Sequence, residues 1–254
     1  MNDLHGIGCA GCRTPLDFDF TMAFQPILDL STQTVFAHEA LVRGLQGEGA
    51  ATILGRVDET NRFAFDQLCR VKAVELAFEL GLPAVSINFM PNAVYDPANC
   101  LRTTLDAARR TGTPLNRIIL EVTEGEKVED AGHLRRILET YKRSGLVTAL
   151  DDFGAGYSGL NLLADFQPDI LKLDMALTRG IDTHRPRQAI VAAAVGLCRA
   201  LSITPIAEGV ETEDEMRTLR DIGIDHMQGY LFAKPRIGAP APISWAALPS
   251  AQVA

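Results

Sequence analysis

The sequence predicts an α/β fold, a closed barrel of the (β/α)8 type, on three observations. Through the middle and C-terminal parts of the chain, short apolar runs alternate with helix-length segments, the pattern of parallel strands joined by helical crossovers. Eight or so such strands fall within about 230 residues with no linker-like stretch between halves, which favours a closed barrel over an open doubly wound sheet. Acids, amides and cations recur at the same end of successive strands, where barrels of this kind carry their chemistry.

Residues 1–20 show little periodicity and contain Gly6, Gly8, Gly11 and Pro15, so they read as an extension ahead of a domain spanning 21–250. Residues 24–29 and 35–43 are strand-like. The link between them is too short for a helical crossover, which makes these two strands antiparallel neighbours. Residues 51–80 read as two helices, with Phe63, Phe65, Leu68, Val71, Val74, Leu76 and Phe78 as apolar positions and Gly81 as a stop. Strands are then predicted at 84–89, 117–122, 146–151, 169–174, 203–207 and 226–232. Between them lie helices at 98–110, 127–143, about 158–164, 187–201 and 212–222.

Composition narrows the function. A hydrophobic fraction of 47% with 22% charged residues suits a soluble globular chain, and a net charge of −8 excludes a broad surface for a nucleic-acid polymer. An anionic ligand would need a local cluster of metal, Arg and Lys. The N-terminus has no basic or apolar leader pattern, and the longest apolar run, residues 189–198, is too short to span a bilayer. A cytoplasmic protein without a membrane span is expected, with no room in 254 residues for a cyclase or sensor domain beside the barrel. Of five cysteines, Cys69, Cys100 and Cys198 read as small buried hydrophobes. Cys9 and Cys12 have C-x-x-C spacing with His5 nearby, but one pair falls short of the four ligands of a closed zinc site. Gly154-Ala-Gly156 lacks the third glycine of a dinucleotide-binding turn, and no P-loop pattern is present.

The centre of the chain is Leu150-Asp151-Asp152-Phe-Gly154-Ala-Gly156-Tyr-Ser158, where an apolar run ends in two adjacent carboxylates. Successive strand side chains point to opposite faces, so the two can converge only where the strand is ending. Paired carboxylates repel unless a cation lies between them, and oxygen-rich sites of that kind suit Mg²⁺, Mn²⁺ or Ca²⁺. The bland alternative is two solvated aspartates opening a loop.

The other strand ends supply Glu39 and Arg43, Asn88, Glu121 and Glu124, Lys172 and Asp174, Glu208 and Glu211, and Gln228. Each has an ordinary reading: Glu39 as an exposed strand position, Asn88 as a loop-closing amide, Lys172 paired with Asp174, Arg43 at a solvated rim. As a set they converge on one chemistry. Glu39, Asn88, Glu121 and Asp151 offer hard oxygen ligands, and Asp152, Glu208 and Glu211 could hold a second cation. Two metals about 4 Å apart can activate a water and stabilise in-line displacement at phosphorus. Lys172 would orient that water and Arg43 bind a phosphate oxygen, a kit suited to phosphodiester hydrolysis.

These residues stand in a series that resembles the EAL-domain family, which hydrolyses cyclic di-GMP to linear pGpG. The series runs Glu39-Ala-Leu41-Val-Arg43, Ser86-Ile-Asn88-Phe-Met-Pro91, Leu120-Glu121-Val-Thr-Glu124 and Asp151-Asp152-Phe-Gly-Ala-Gly-Tyr-Ser158. It continues as Leu171-Lys172-Leu-Asp174, Ala207-Glu208-Gly-Val-Glu211 and Gln228-Gly-Tyr-Leu-Phe232, all in family order over residues 20–240. The resemblance implies a modified TIM-type barrel with one antiparallel strand. It implies Glu39, Asn88, Glu121 and Asp151 around one Mg²⁺ or Mn²⁺, Asp151 bridging to a second ion helped by Asp152 and Glu211, and Ca²⁺ as an inhibitor. Lys172 and Glu208 would act on the water and Arg43 on a phosphate, with Leu41, Asp174 and Gln228 at the substrate's edge. Glu124 would tether the loop 153–159, which in the family links the metal site to a homodimer interface. His38 and Met175-Ala-Leu-Thr178 depart from the usual family residues, and His38 reads as a packed or solvent-facing side chain.

Overall fold

The computed structural model describes residues 15–123, 131–156 and 159–245. His5, Cys9, Cys12 and Glu124 lie outside the described residues, as do Tyr157, Ser158 and the predicted start of the 127–143 helix.

Eight strands close the barrel: β1 (Thr21–Asp29), β2 (Thr34–Arg43), β3 (Val85–Asn88), β4 (Ile118–Thr123), β5 (Val147–Phe153), β6 (Ile170–Leu173), β7 (Thr204–Ala207) and β8 (His226–Met227). From β2 to β8 each strand lies parallel to the next, and β1 completes the ring antiparallel to both β2 and β8. The antiparallel pair follows from the tight connection read in the sequence. Asp29 folds it by accepting hydrogen bonds from the Ser31 backbone (2.9 Å) and hydroxyl (2.6 Å), with Gln33 at φ 53°. A two-residue strand, β9 (Arg236–Ile237), adds to β1 and was not predicted.

Among the described residues, eight α-helices surround the strands: α1 (Ala50–Leu54), α2 (Arg62–Glu79), α3 (Pro97–Thr111), α4 (Ala131–Arg143), α5 (Gly159–Asp165), α6 (Met175–Thr178), α7 (Arg185–Leu201) and α8 (Glu213–Ile222). Their ends carry ordinary capping chemistry. The Asp96 side chain accepts from Asn99 N at the start of α3, and Thr212 and Glu215 form a capping box on α8.

Period-two alternation divides each strand between two cores. On β4, Ile118 and Leu120 join the large core under the helices, whereas Ile119 faces the barrel interior with Ala37, Ala149, Ile170, Ile206 and Ile27. Two residues further along the same face stand Glu39, Glu121, Asp151, Lys172 and Glu208. Gln25 stands two residues before Ile27, because β1 runs the other way. The apolar interior layer is thus the floor of the polar one.

The predicted last strand stops early, at Met227. A side chain on Gly229 would place its Cβ 1.9 Å from the Val210 carbonyl oxygen, so the chain turns here against the loop after β7. Val210 N donates to Gln228 O (3.1 Å) and Leu231 N to Val210 O (3.1 Å), holding the turn.

Candidate active site

Lys172 is fully buried, and its Nζ is surrounded by carboxylates: Glu208 at 2.7 Å, Glu121 at 3.0 Å, Asp151 at 3.1 Å and Glu39 at 3.7 Å. Lys172 therefore does not pair with Asp174, whose carboxylate caps α6 by accepting from Ala176 N (2.8 Å). Strands β2, β4, β5, β6 and β7 deliver this cluster. Amides from three more close its side: Asn88 donates to Glu39 (3.0 Å), Gln228 donates to Glu39 (2.7 Å) and to Gln25 (3.1 Å), and Gln25 donates to Ala233 O (3.1 Å). Ser86 donates to Glu121 through a short hydrogen bond.

Asp151 and Asp152 converge by a different device from the one the sequence suggested. Strand β5 continues through both to Phe153, and the register with β6 shifts between Leu150 and Phe153. Asp152 sits in the left-handed region at φ 56°, with its N–H bonded to Asp151 Oδ1 (2.9 Å). This bulge, rather than the strand's end, turns two neighbouring side chains toward one site. Aspartate tolerates that backbone region better than most residues.

Five carboxylates around one ammonium leave the buried cluster with surplus negative charge. Burial, reinforced by Asp151 and Glu39 and opposed by Lys172, pushes the Glu121 carboxyl up to about 8. Burial and the neighbouring Asp151 and Asp174 push Asp152 up to about 6. Glu208 is raised as well, chiefly by burial. For Lys172 burial favours loss of the proton, yet the four carboxylates outweigh it and hold the ammonium charged. Glu39, Glu121 and Asp151 each offer an oxygen within 4.8 Å of the others, as do Asp151, Asp152 and Glu208. Hard oxygens at that spacing, with charge left to neutralise, fit hard divalent cations.

A cavity of about 320 Å³ opens over the cluster, walled by Glu39, Leu41, Asp151, Asp152, Asp174, Glu208, Glu211 and Gln228 among the residues read from sequence. Gln25, Met175, Arg179, Gly209 and Tyr230 also line it, and the sequence reading had not singled out their roles. Gln25 had a signal, being a buried amide in an otherwise apolar strand, in register with Glu39. Two expected residues stand differently. Arg43 lies outside the cavity wall and donates to its neighbour's carbonyl, Val42 O (2.7 Å). Glu211 lines the cavity but is outside both metal-spaced groups, its carboxylate paired with Arg179. His38 is packed on the other face of β2, and burial lowers its imidazole to about 4. A second cavity of about 350 Å³, walled by Met22, Phe65, Cys69, Phe89 and Met90, adjoins the first and shares Leu41 with it.

The family model for the EAL domain matches residues 16–235. The chain belongs to the EAL domain family. A standalone versatile EAL protein from Vibrio cholerae, solved bound to c-di-GMP, is 51% identical with a TM-score of 0.90, over 93% of this chain and 100% of that one. The BlrP1 protein of Klebsiella pneumoniae, solved with manganese and c-di-GMP, is 35% identical with a TM-score of 0.81, over 88% of this chain and 58% of that one. Among curated relatives, the Escherichia coli blue light- and temperature-regulated antirepressor BluF is 32% identical over 88% of this chain and 56% of its own length. The cyclic di-GMP phosphodiesterase PA2567 of Pseudomonas aeruginosa is 28% identical over 86% and 38% respectively. The chain thus spans little more than half, or less, of these curated relatives.

Proposed function

We propose that this chain is a metal-dependent phosphodiesterase that hydrolyses cyclic di-GMP to linear pGpG, lowering the messenger in bacterial signalling. The observation that carries the reading is the buried, over-acidic cluster around Lys172 at the floor of an open cavity. Glu39, Asn88, Glu121 and Asp151 would hold one divalent cation, and Asp151, Asp152 and Glu208 a second. Mg²⁺ or Mn²⁺ bound there would activate water and offset charge growing on the phosphate.

The chain's own groups divide the remaining work. Lys172, kept protonated by its carboxylate shell, orients the attacking water, and Glu208, which meets the cavity, accepts its proton. The new bond joins water oxygen to phosphorus, the P–O3′ bond breaks, and the 3′-oxygen takes a proton from solvent. Gln228 and Gln25 fix Glu39 from the side, so its carboxylate is aimed before substrate arrives. Leu41 and Asp174 line the substrate's path. The cavity over the cluster falls within the usual 300–1,000 Å³ range of small-molecule sites.

The EAL relatives include proteins named as regulators as well as a phosphodiesterase, so binding without cleavage is the competing outcome. The presence here of every acid and of the lysine favours cleavage. No helix among the described residues is long and apolar enough to cross a membrane; a cytoplasmic location is part of the proposal. A homodimer through the loop after Asp152 and the adjacent helices is part of the same proposal, and α5 beside that loop exposes Leu160. Chromatography of cyclic di-GMP incubated with the protein and Mg²⁺ or Mn²⁺ tests the activity, with Ca²⁺ as the expected inhibitor. We expect pGpG, abolished by Glu39→Ala and by Lys172→Ala. Tight binding with no pGpG would replace the enzyme by a receptor.

A further inference from the structure

The loops that follow β6 and β7 are stitched together across the mouth of the barrel, and Arg179 makes the central stitches. Its Nη2 donates to Gly209 O (3.1 Å) and Glu211 Oε1 (2.6 Å), its Nη1 pairs with the second Glu211 oxygen, and its Nε faces Glu215 Oε1 at 3.8 Å. Thr178 donates to the Glu208 carbonyl beside it. The Glu215 carboxylate, itself buried, accepts from Gly180 N (2.8 Å), Glu211 N (2.9 Å) and Thr212 N (3.1 Å). Gly209 has φ 65° and lies so close to α6 that a Cβ there would stand 2.5 Å from that of Met175. The contacts at Gly209 and Glu211 fall within three residues of Glu208, and those at Glu215 anchor the start of α8 behind them. Among the described residues that wall the active-site cavity, Arg179 is also the one cation.

We propose that Arg179 is a positioning residue for the reaction. By gripping Glu211 and the Gly209 carbonyl it fixes the β7 loop so that Glu208 faces Lys172 and Asp151, and it holds Glu211 out of the acid cluster. A guanidinium can do this because its planar fork reaches a carboxylate and a carbonyl together. The inference rests on the reading above that Glu208 belongs to a metal-dependent hydrolytic site. It reassigns Glu211, which acts here through Arg179 instead of as a direct ligand.

The test uses the full chain with Arg179→Gln, Arg179→Lys, Glu211→Gln and the Arg179→Gln/Glu211→Gln pair. Mn²⁺ binding is followed by the electron paramagnetic resonance of the free ion, which needs no substrate, and thermal midpoints confirm folding. Removing a nearby positive charge would, through space alone, tighten Mn²⁺ binding. Positioning predicts the opposite sign: Mn²⁺ affinity about tenfold or more weaker in Arg179→Gln, the scale of loss when a ligand's supporting partner is removed. The same variant should lose kcat by about tenfold or more while KM moves less than about threefold. Arg179→Lys should recover part of both, and the double variant should be no worse than Arg179→Gln, because the two side chains act as one unit. Mn²⁺ affinity in Arg179→Gln that is unchanged or tighter overturns the proposal, as does a double variant with additive losses. Should the wild-type chain bind Mn²⁺ yet release no pGpG, the phosphodiesterase reading falls and the Mn²⁺ comparison still decides the role of Arg179.

Discussion

Two fully buried cations, Arg70 and Lys172, sit in contrasting company. Arg70 on α2 has one carboxylate, Asp66 one turn earlier at 2.7 Å, and a 3.4 Å contact with Thr104 on α3. Asp66 spends its other oxygen on Met90 N (2.8 Å), so the pair ties α2 to the segment after β3 with its charge balanced. Lys172 has four carboxylates within 4 Å and Asp152 close behind. A balanced buried pair needs nothing further, whereas an over-acidic cluster is complete only with another cation. Burial of charge alone does not mark a functional site; imbalance does.

The largest effect should come from breaking the unbalanced centre. Lys172→Ala is expected to reduce cyclic di-GMP hydrolysis by about 10²–10³-fold, the range for loss of one preorganised donor at the reacting centre, read as initial rates at saturating Mn²⁺. Breaking the balanced pair should cost fold, not chemistry. Asp66→Ala strands a charged guanidinium in the core and should lower unfolding free energy by about 3–5 kcal/mol in urea denaturation.

Metal removal separates the two regions further. A carboxyl held above its ordinary value in the folded state binds its proton more tightly there than in the unfolded chain. Its stabilisation is complete below the unfolded value and drains away as pH rises through the folded one. For Glu121 that window runs from its ordinary 4.5 to about 8, so the chelated protein should lose melting temperature across it. Mn²⁺ at a hundred times its dissociation constant should add about 2.7 kcal/mol and flatten that slope, measured by scanning calorimetry with and without chelator. The smallest effect belongs to a balanced pair in solvent: Glu75→Ala, which frees Arg110 (2.6 Å, more than half exposed), should cost under about 1 kcal/mol.

Much of this was legible in the sequence, for a geometric reason. Ile119 and Glu121, Ala149 and Asp151, Ile170 and Lys172 are each two residues apart, so once the strands are recognised their alternation places the polar member above the apolar one on one face. The antiparallel first pair was readable from its short link. What escaped depends on contacts between loops. Arg179 lies five residues beyond Asp174 in no periodic pattern, and its partners Gly209 and Glu211 are thirty residues away. The Asp152 bulge and the turn at Gly229 are backbone events that residue type hints at but does not locate. Arg43 keeps the strand face of Glu39 and Leu41, yet its guanidinium bonds to Val42 O, a choice that pattern does not encode.

Centrally, protons offset the surplus negative charge of the Lys172 cluster until a divalent cation arrives. Calorimetric titration with Mn²⁺ near pH 7, repeated in two buffers of different ionisation enthalpy, counts protons released on binding. Saturable binding with net proton release is expected, and a smaller release in Glu121→Gln, where the raised Glu208 carboxyl remains. Saturable binding with no proton release, or no binding at all, would contradict it.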